Sequence, residues 1–328
     1  MKAIVYHEYG APEDVLELRD IDQPVAADDE VLIRIRAASL NPYDWHFLRG
    51  MPYVMRLMFG LRKPRKTPTV LGSDIAGRVE AVGRNVTRFR PGDDVFAEVG
   101  TGGCAEYISV PDEKPELKPA NLTFEQAAAV PMAAQTALVG VRDQANVQLG
   151  EKVLINGASG GVGTFAVQLA KALGAEVTGV CSTRNVDMVR SIGADHVIDY
   201  TQEDFTQGEQ RYDFIFDTVG NHSMSECRRV LTLKGTYGAP GAGGGRWLGA
   251  VTQQLKAVAL SPFVGQKLVA VNDKPNQDLD YLKGLIEAGR VTPVIDTTYP
   301  LSQAPDAMGY LEAGHARGKV VVAVAGSG

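Results

Sequence analysis

Residues 151–173 read Glu-Lys-Val-Leu-Ile-Asn-Gly-Ala-Ser-Gly-Gly-Val-Gly-Thr-Phe-Ala-Val-Gln-Leu-Ala-Lys-Ala-Leu, and this stretch constrains the fold more than any other part of the chain. An apolar run, a glycine-rich turn and an amphipathic run in that order spell strand, turn and helix. Such a unit buries both faces of its strand only inside a parallel sheet flanked by helices. Gly160 and Gly163 fill the last two places of the G-x-G-x-x-G fingerprint, with Ala158 in the first. Small residues here let the backbone of Ser159, Gly160, Gly161 and Val162 approach a pyrophosphate. Gly163 lets the helix lie tight on the strand, and the first helical N–H groups, which have no partner in the helix, face the anion. The alternative is a glycine-rich turn that holds no ligand.

The end of the following strand decides which nicotinamide cofactor suits the chain. Val180-Cys-Ser-Thr-Arg-Asn185 carries no acid to hold a ribose 2′-hydroxyl. Ser182 offers a hydrogen bond and Arg184 opposes a 2′-phosphate dianion, which favours NADPH. A solvated loop with an incidental arginine is the competing reading.

Around this centre the texture of the chain changes twice. Short β-like runs punctuated by Gly and Pro fill the first third: Lys2–Tyr6, Glu30–Arg36, Ile75–Val82, Asp94–Val99 and Tyr107–Val110. From Leu122 the periodicity of Glu125–Val141 is helical. Strand-like runs then alternate with helix-like ones: Lys152–Ile155, Glu176–Val180, His196–Asp199, Asp213–Asp217, Gly235–Gly238 and Lys267–Val271. Six such strands predict an α/β Rossmann fold, a doubly wound parallel sheet. The C-terminal runs resemble the first third. The expected division is a β-rich substrate domain at 1–122, a cofactor domain at 123–271 and a return to the first domain at 272–328, with ligands bound in the cleft between domains.

Composition narrows the function. The 328 residues carry 33 Lys+Arg against 39 Asp+Glu, a net charge of −6 that argues against a general nucleic-acid binder. Cys104, Cys181 and Cys227 lie far apart, which speaks against a disulfide scaffold or a zinc knuckle. No apolar run reaches the roughly 18–20 residues that span a bilayer, so no integral membrane segment is expected and a cytoplasmic location is the default.

Gly157–Gly163 with Gln168, the stretch Arg190–Tyr200 and Phe216-Asp-Thr-Val-Gly220 resemble the medium-chain dehydrogenase/reductase superfamily. Leu40-Asn-Pro-Tyr-Asp44, Leu71-Gly-Ser-Asp-Ile-Ala-Gly77 and Lys118-Pro-Ala-Asn-Leu122 are similar to its zinc-independent quinone oxidoreductase, or zeta-crystallin-like, branch. The resemblance runs the length of the chain. It implies a GroES-like substrate domain, a Rossmann domain and NADPH-dependent hydride transfer to a quinone or another electron-poor acceptor. It further implies that Ser159, Gly161 and Val162 contact pyrophosphate and that Ser182 and Arg184 take the 2′-phosphate. Val219 and the loop 239–245 would border the nicotinamide half. Tyr200 reads either as an adenosine contact or as a strand-end core aromatic, and Lys319 either as a cofactor ligand or as a solvated strand-end charge. Positions that hold metal in zinc-dependent relatives read Asn41, Ser73 and Met132, a poor zinc shell, so no metal is expected. A homodimer paired through Lys267–Val271 is the expected assembly.

The candidate catalytic residues are Asn41, Asp44 and Tyr53. Asn41 is placed to hydrogen-bond a substrate oxygen or the nicotinamide ribose. Asp44 reads more as an organiser of its loop than as an acid, and His46 as a proton shuttle or a structural residue. Quinone reduction asks mainly for orientation, since water can protonate the product. Reduction of an enone or enoyl thioester asks for a proton donor, and Tyr53 is the candidate, one residue away from the tyrosine of enoyl-thioester reductases. The apolar and then basic segment Met51–Lys66 reads as a lid with a basic rim, a membrane-brushing surface or a plain packed helix. The alternatives to a quinone reductase are a double-bond reductase using Tyr53 and a non-catalytic NADPH-binding regulatory protein.

Overall fold

The protein is described here from a computed structural model covering residues 1–240, 265–271 and 274–324; the glycine run 241–245 lies outside the described residues. The chain forms two compact units, one made of Met1–Gln135, Lys274–Ala288 and Pro293–Gly328, the other of Thr136–Asp273 and Gly289–Thr292. The division falls at Gln135/Thr136, later than the boundary after Leu122 expected from the texture of the sequence.

The second unit holds a six-stranded parallel sheet in the order His196–Asp199, Glu176–Cys181, Lys152–Asn156, Tyr212–Asp217, Leu231–Pro240, Lys267–Val271. In chain order this is 3-2-1-4-5-6, the doubly wound arrangement, with the chain reversing direction across the sheet between its first and fourth strands. Val153, Leu154 and Ile155, like Phe214, Ile215 and Phe216, are buried in unbroken runs, as a sheet covered on both faces requires. Helix Gly161–Ala172 follows the first strand and buries an unbroken run from Gly163 to Ala170.

The first unit is built on a sheet of seven strands. Its longest, Glu30–Leu40, pairs antiparallel with Asp74–Val82, Tyr107–Pro111 and Lys319–Ala323. The register sets Leu40 opposite Val320 and Ser39 opposite Asp74. The residue after the long strand, Asn41, therefore lands between the first residues of two neighbouring strands, Asp74 and Lys319. A second sheet pairs Lys2–Tyr6 with Glu17–Asp20 and Thr69–Val70. Ile4, Leu40, Leu48, Met308 and Val322 share one core cluster in this unit, and Ile33, Ile75, Val79 and Val95 another.

One predicted element breaks up. The single helix expected over Glu125–Val141 is instead Phe124–Ala128, then Pro131–Leu138, then a π-helical turn Val139–Gln144. Pro131 has no N–H to continue the first helix and starts the second, where that hydrogen is not needed.

Candidate active site

In the second unit a candidate nucleotide site is set by backbone geometry. Gly157 has φ +84°, a left-handed conformation that glycine adopts without strain. A Cβ on Gly163 would stand 2.0 Å from the Gly157 carbonyl oxygen, so helix and turn meet closer than any side chain permits. A Cβ on Gly160 would meet nothing nearer than that same oxygen at 3.4 Å and would fill the open side of the turn. Glycine at 160 therefore leaves a cradle where a pyrophosphate needs one, beside the free N–H groups opening helix Gly161–Ala172. These residues fit a dinucleotide.

Asn185, which sequence reasoning passed over, ties the cradle to the next strand. Its Nδ2 donates to Ser159 Oγ at 3.0 Å and to Ser182 Oγ at 3.2 Å. Its Oδ1 is buried and has no hydrogen-bond partner among the described residues. Arg184 is exposed beside it. The stretch Val180–Asn185 carries no acid of its own, as its sequence reads, but the register pairs Cys181 with Asp199 of the neighbouring strand. Thr183 Oγ1 donates to Asp199 Oδ2 at 2.5 Å, and hydrogen bonds from Thr183 and Thr201 hold this carboxyl below its ordinary range. Tyr200 is 57% exposed, which rules out the core-aromatic reading.

At the end of the fourth strand, buried Asp217 holds a turn. Its Oδ1 accepts the backbone N–H of Val219 at 3.1 Å and of Gly220 at 2.8 Å, together with Asn156 Nδ2 at 2.8 Å. Tyr237 donates its hydroxyl to Asp217 Oδ2 at 2.8 Å, and burial with the Asp217 charge beside it pushes that phenol up, so it remains a neutral donor. Val219 is 53% exposed on this turn. Only Val219 of this group was legible in the sequence; Asn156, Asp217 and Tyr237 lie on three different strands.

In the first unit, Asn41, Asp44, Ser73, Asp74 and Lys319 are all buried and bonded to one another. Asn41 Nδ2 donates to Ser73 Oγ at 2.9 Å and to Asp74 Oδ2 at 2.8 Å, while Asn41 Oδ1 accepts from Lys319 Nζ. Ser73 Oγ donates to Asp44 Oδ2 at 3.0 Å, and the Asn41 backbone N–H donates to that same oxygen at 2.7 Å. Asp74 Oδ1 accepts the Met132 N–H at 3.2 Å, and Lys319 Nζ lies 3.6 Å from Asp74 Oδ2. Lys319 is only 3% exposed, so it is not a solvated strand-end charge. Both Asn41 amide hydrogens are committed inside the cluster. The amide has none left to donate to a substrate oxygen, which corrects half of the expectation for Asn41; one lone pair on Oδ1 remains for a hydroxyl.

The charges in this cluster are adjusted by burial. Desolvation pushes the Asp44 carboxyl up to about 7, reinforced by Asp74 and opposed by its hydrogen bonds from Asn41 and Ser73 and by Lys319. Asp74 is also raised, chiefly by burial, with Lys319 the main opposing influence. Burial lowers Lys319 in turn.

Tyr53 starts a short 3₁₀ turn, Tyr53–Met55, with the Arg56 guanidinium 4.7 Å from its ring centroid. His46 stacks on Trp45 with ring centroids 3.7 Å apart, and its Nδ1 is buried without a hydrogen-bond partner among the described residues. Burial lowers its pKa, which favours the neutral imidazole.

The donor set of the first unit does not fit zinc. An amide with both hydrogens turned inward, a hydroxyl and a thioether supply no thiolate or imidazole, and the Lys319 ammonium already stands against Asp74. Among the described residues no group of three or more His, Cys, Asp or Glu is placed to hold a metal ion, and no helix is long and apolar enough to cross a membrane.

Comparison with known proteins places this geometry among relatives. Residues 27–120 match the alcohol dehydrogenase GroES-like domain family and residues 192–322 the zinc-binding dehydrogenase family. The chain is 34% identical over 341 residues to the quinone-oxidoreductase homolog, chloroplastic, of Spinacia oleracea, covering 98% of each. It is 35% identical to the NADPH-dependent alkenal/one oxidoreductase, chloroplastic, of Arabidopsis thaliana, over 98% of this chain and 79% of the relative. Among solved structures, Escherichia coli quinone oxidoreductase complexed with NADPH superposes with a TM-score of 0.83 at 25% identity, over 99% of this chain and 100% of that one.

Proposed function

The chain belongs to the medium-chain dehydrogenase/reductase superfamily, in its zeta-crystallin-like quinone oxidoreductase branch, and from that premise we propose that it is an NADPH-dependent reductase of quinones that works without a metal. The observation that carries this reading is the closed cluster of Asn41, Ser73, Asp74, Asp44 and Lys319. Two of its members, Asn41 and Ser73, stand at positions that by the family resemblance hold the metal in zinc-dependent relatives, and the cluster's internal cation is the Lys319 ammonium.

Bound NADPH supplies a hydride from its nicotinamide ring. The residues of this chain bind and orient. The cradle at Ser159–Gly163 takes the pyrophosphate, Asn185 holds Ser159 and Ser182 in place, and Ser182 with Arg184 meets the 2′-phosphate. Tyr200 lies against the adenosine. Asp217 fixes the Val219–Gly220 turn that borders the nicotinamide. Asn41 accepts a hydroxyl hydrogen of a bound ligand on its remaining Oδ1 lone pair, Asp44 anchors the backbone of Asn41, and Lys319 holds the Asn41 amide in place. Orientation of two reactants supplies most of what a quinone requires, because the reduced product is protonated by water. In this reading the enzyme is a cytoplasmic homodimer paired through the edge strand Lys267–Val271. Protein dialysed against a strong chelator should keep its full rate of NADPH oxidation with a soluble quinone; a stoichiometric zinc whose removal abolishes the rate would contradict the proposal.

Similarity to an alkenal/one oxidoreductase and a 2-methylene-furan-3-one reductase favours a second acceptor class, the alkenals and enones, for which Tyr53 is the proton donor that the family resemblance suggests. Tyr53→Phe should then slow enone reduction about a hundredfold while quinone reduction changes less than twofold, since general-acid help is worth on the order of 10²–10⁴. Equal losses for both acceptors would remove Tyr53 from the chemistry.

A further inference from the structure

We propose that the segment from Val54 to Lys66 is a docking surface for an anionic lipid bilayer. The proposal goes beyond the reductase reading and does not depend on the identity of the acceptor. Between Trp45 and Ser73 the sequence has no acidic residue and six basic ones, Arg49, Arg56, Arg62, Lys63, Arg65 and Lys66, in a chain where acids outnumber bases 39 to 33. The structure turns part of this stretch outward. Leu57 is 63% exposed, Met58 66% and Leu61 67%, next to exposed Arg62, Lys63 and Lys66.

The base beneath them is firmly built. The Arg56 guanidinium sits 4.6 Å from the Tyr9 ring centroid and donates to the carbonyls of Gly50 and Arg49, each at 2.9 Å. Phe59 meets Phe47 edge-on at 4.6 Å, and Arg65 Nη2 donates to the Leu57 carbonyl at 3.1 Å. The outward apolar side chains thus ride on a braced turn. Elsewhere in the same unit, exposed arginines face carboxylates: Arg78 with Asp94, Arg84 with Asp28, Arg88 with Glu116. Arg62, Lys63 and Lys66 have no ion-pair partner among the described residues, so their charge is presented outward.

Protruding aliphatic tips flanked by uncompensated positive charge suit the boundary between lipid headgroups and acyl chains. The tips enter the boundary and the ammonium and guanidinium groups meet phosphates. Free phosphate would gain nothing from Leu57, Met58 and Leu61, and a folded protein partner of ordinary affinity needs an apolar core with a polar rim rather than one apolar ridge beside a basic one.

The test is co-sedimentation of the full chain with vesicles of phosphatidylcholine alone and with a third of that lipid replaced by phosphatidylglycerol. The protein should pellet with the anionic vesicles, stay in solution with the neutral ones, and be released by molar salt. Since each basic group near such a surface contributes roughly a fivefold change in partitioning, the triple change Arg62→Gln, Lys63→Gln, Lys66→Gln should weaken it at least about tenfold. Leu57→Ser with Met58→Ser should weaken it several-fold, and both variants should oxidise NADPH with a soluble quinone at the unaltered rate. Equal partitioning to both vesicle types, or anionic binding untouched by either variant, would overturn the proposal. So would release by millimolar inorganic phosphate at constant ionic strength, which would indicate a phosphate site. Absence of vesicle binding together with a change of oligomeric state in the serine variant would also overturn it, assigning the ridge to a second copy of the chain.

Discussion

At the scale of single residues, the buried cluster of the first unit makes the clearest demand. Burial lifts the Asp44 carboxyl from its ordinary range in the open chain to about 7 in the folded protein. Between those values the folded state holds a proton that the unfolded state has lost, so stability falls as pH rises through that window. Asp74, raised in the same direction, adds to the fall. Asp44→Asn keeps an acceptor for the Asn41 N–H and the Ser73 hydroxyl but removes one titration. Denaturant unfolding between pH 4 and 7 should show the variant losing less stability than the wild type, by an amount on the order of 2 kcal/mol. Parallel curves would mean that Asp44 titrates normally. Asn41, Asp44 and Lys319 stand out along the chain as candidates, but their meeting was not legible there: Asn41, Asp74 and Lys319 lie at the ends of three strands that only the antiparallel register brings together. A lysine in Arg317-Gly-Lys-Val320 looks like any solvated strand end until its neighbours are known.

At the scale of elements, the glycine-rich turn separates two jobs that one motif performs. Gly163 permits close packing, and Gly163→Ala drives a Cβ to within 2.0 Å of the Gly157 oxygen, so unfolding should occur with about 1–3 kcal/mol less stability and cofactor binding should fall with it. Gly160→Ala meets nothing nearer than 3.4 Å; the variant should melt within about 1 kcal/mol of wild type yet bind NADPH at least about tenfold more weakly. Thermal melts and fluorescence titration of the two variants check this, and a Gly160→Ala protein with normal affinity would move the pyrophosphate elsewhere. The turn could be read from sequence because strand, glycines and helix are contiguous and their periods local. The helical stretch after Leu122 shows the opposite case: its apolar period runs on through Pro131, where the backbone must break into two helices. Asp199 shows the same limit in the sheet: a search along one strand for an acid misses the acid delivered by the next strand over.

At the scale of the whole molecule, the doubly wound parallel sheet followed from texture, since alternation of strands and helices leaves few topologies open, and the GroES-like domain from the family resemblance of short motifs. The acceptor does not follow in the same way, because function resides in the site rather than the fold, and this chain's relatives carry names of both quinone and alkenal reductases. The measurement that bears most directly on the account is steady-state oxidation of NADPH and of NADH in parallel, each with a soluble quinone and with an α,β-unsaturated ketone. Turnover of the quinone with NADPH should run at a kcat/KM at least about tenfold above that with NADH, one charge-assisted contact to the 2′-phosphate being worth that much. Tight NADPH binding with every acceptor inert, or a clear preference for NADH, would contradict it.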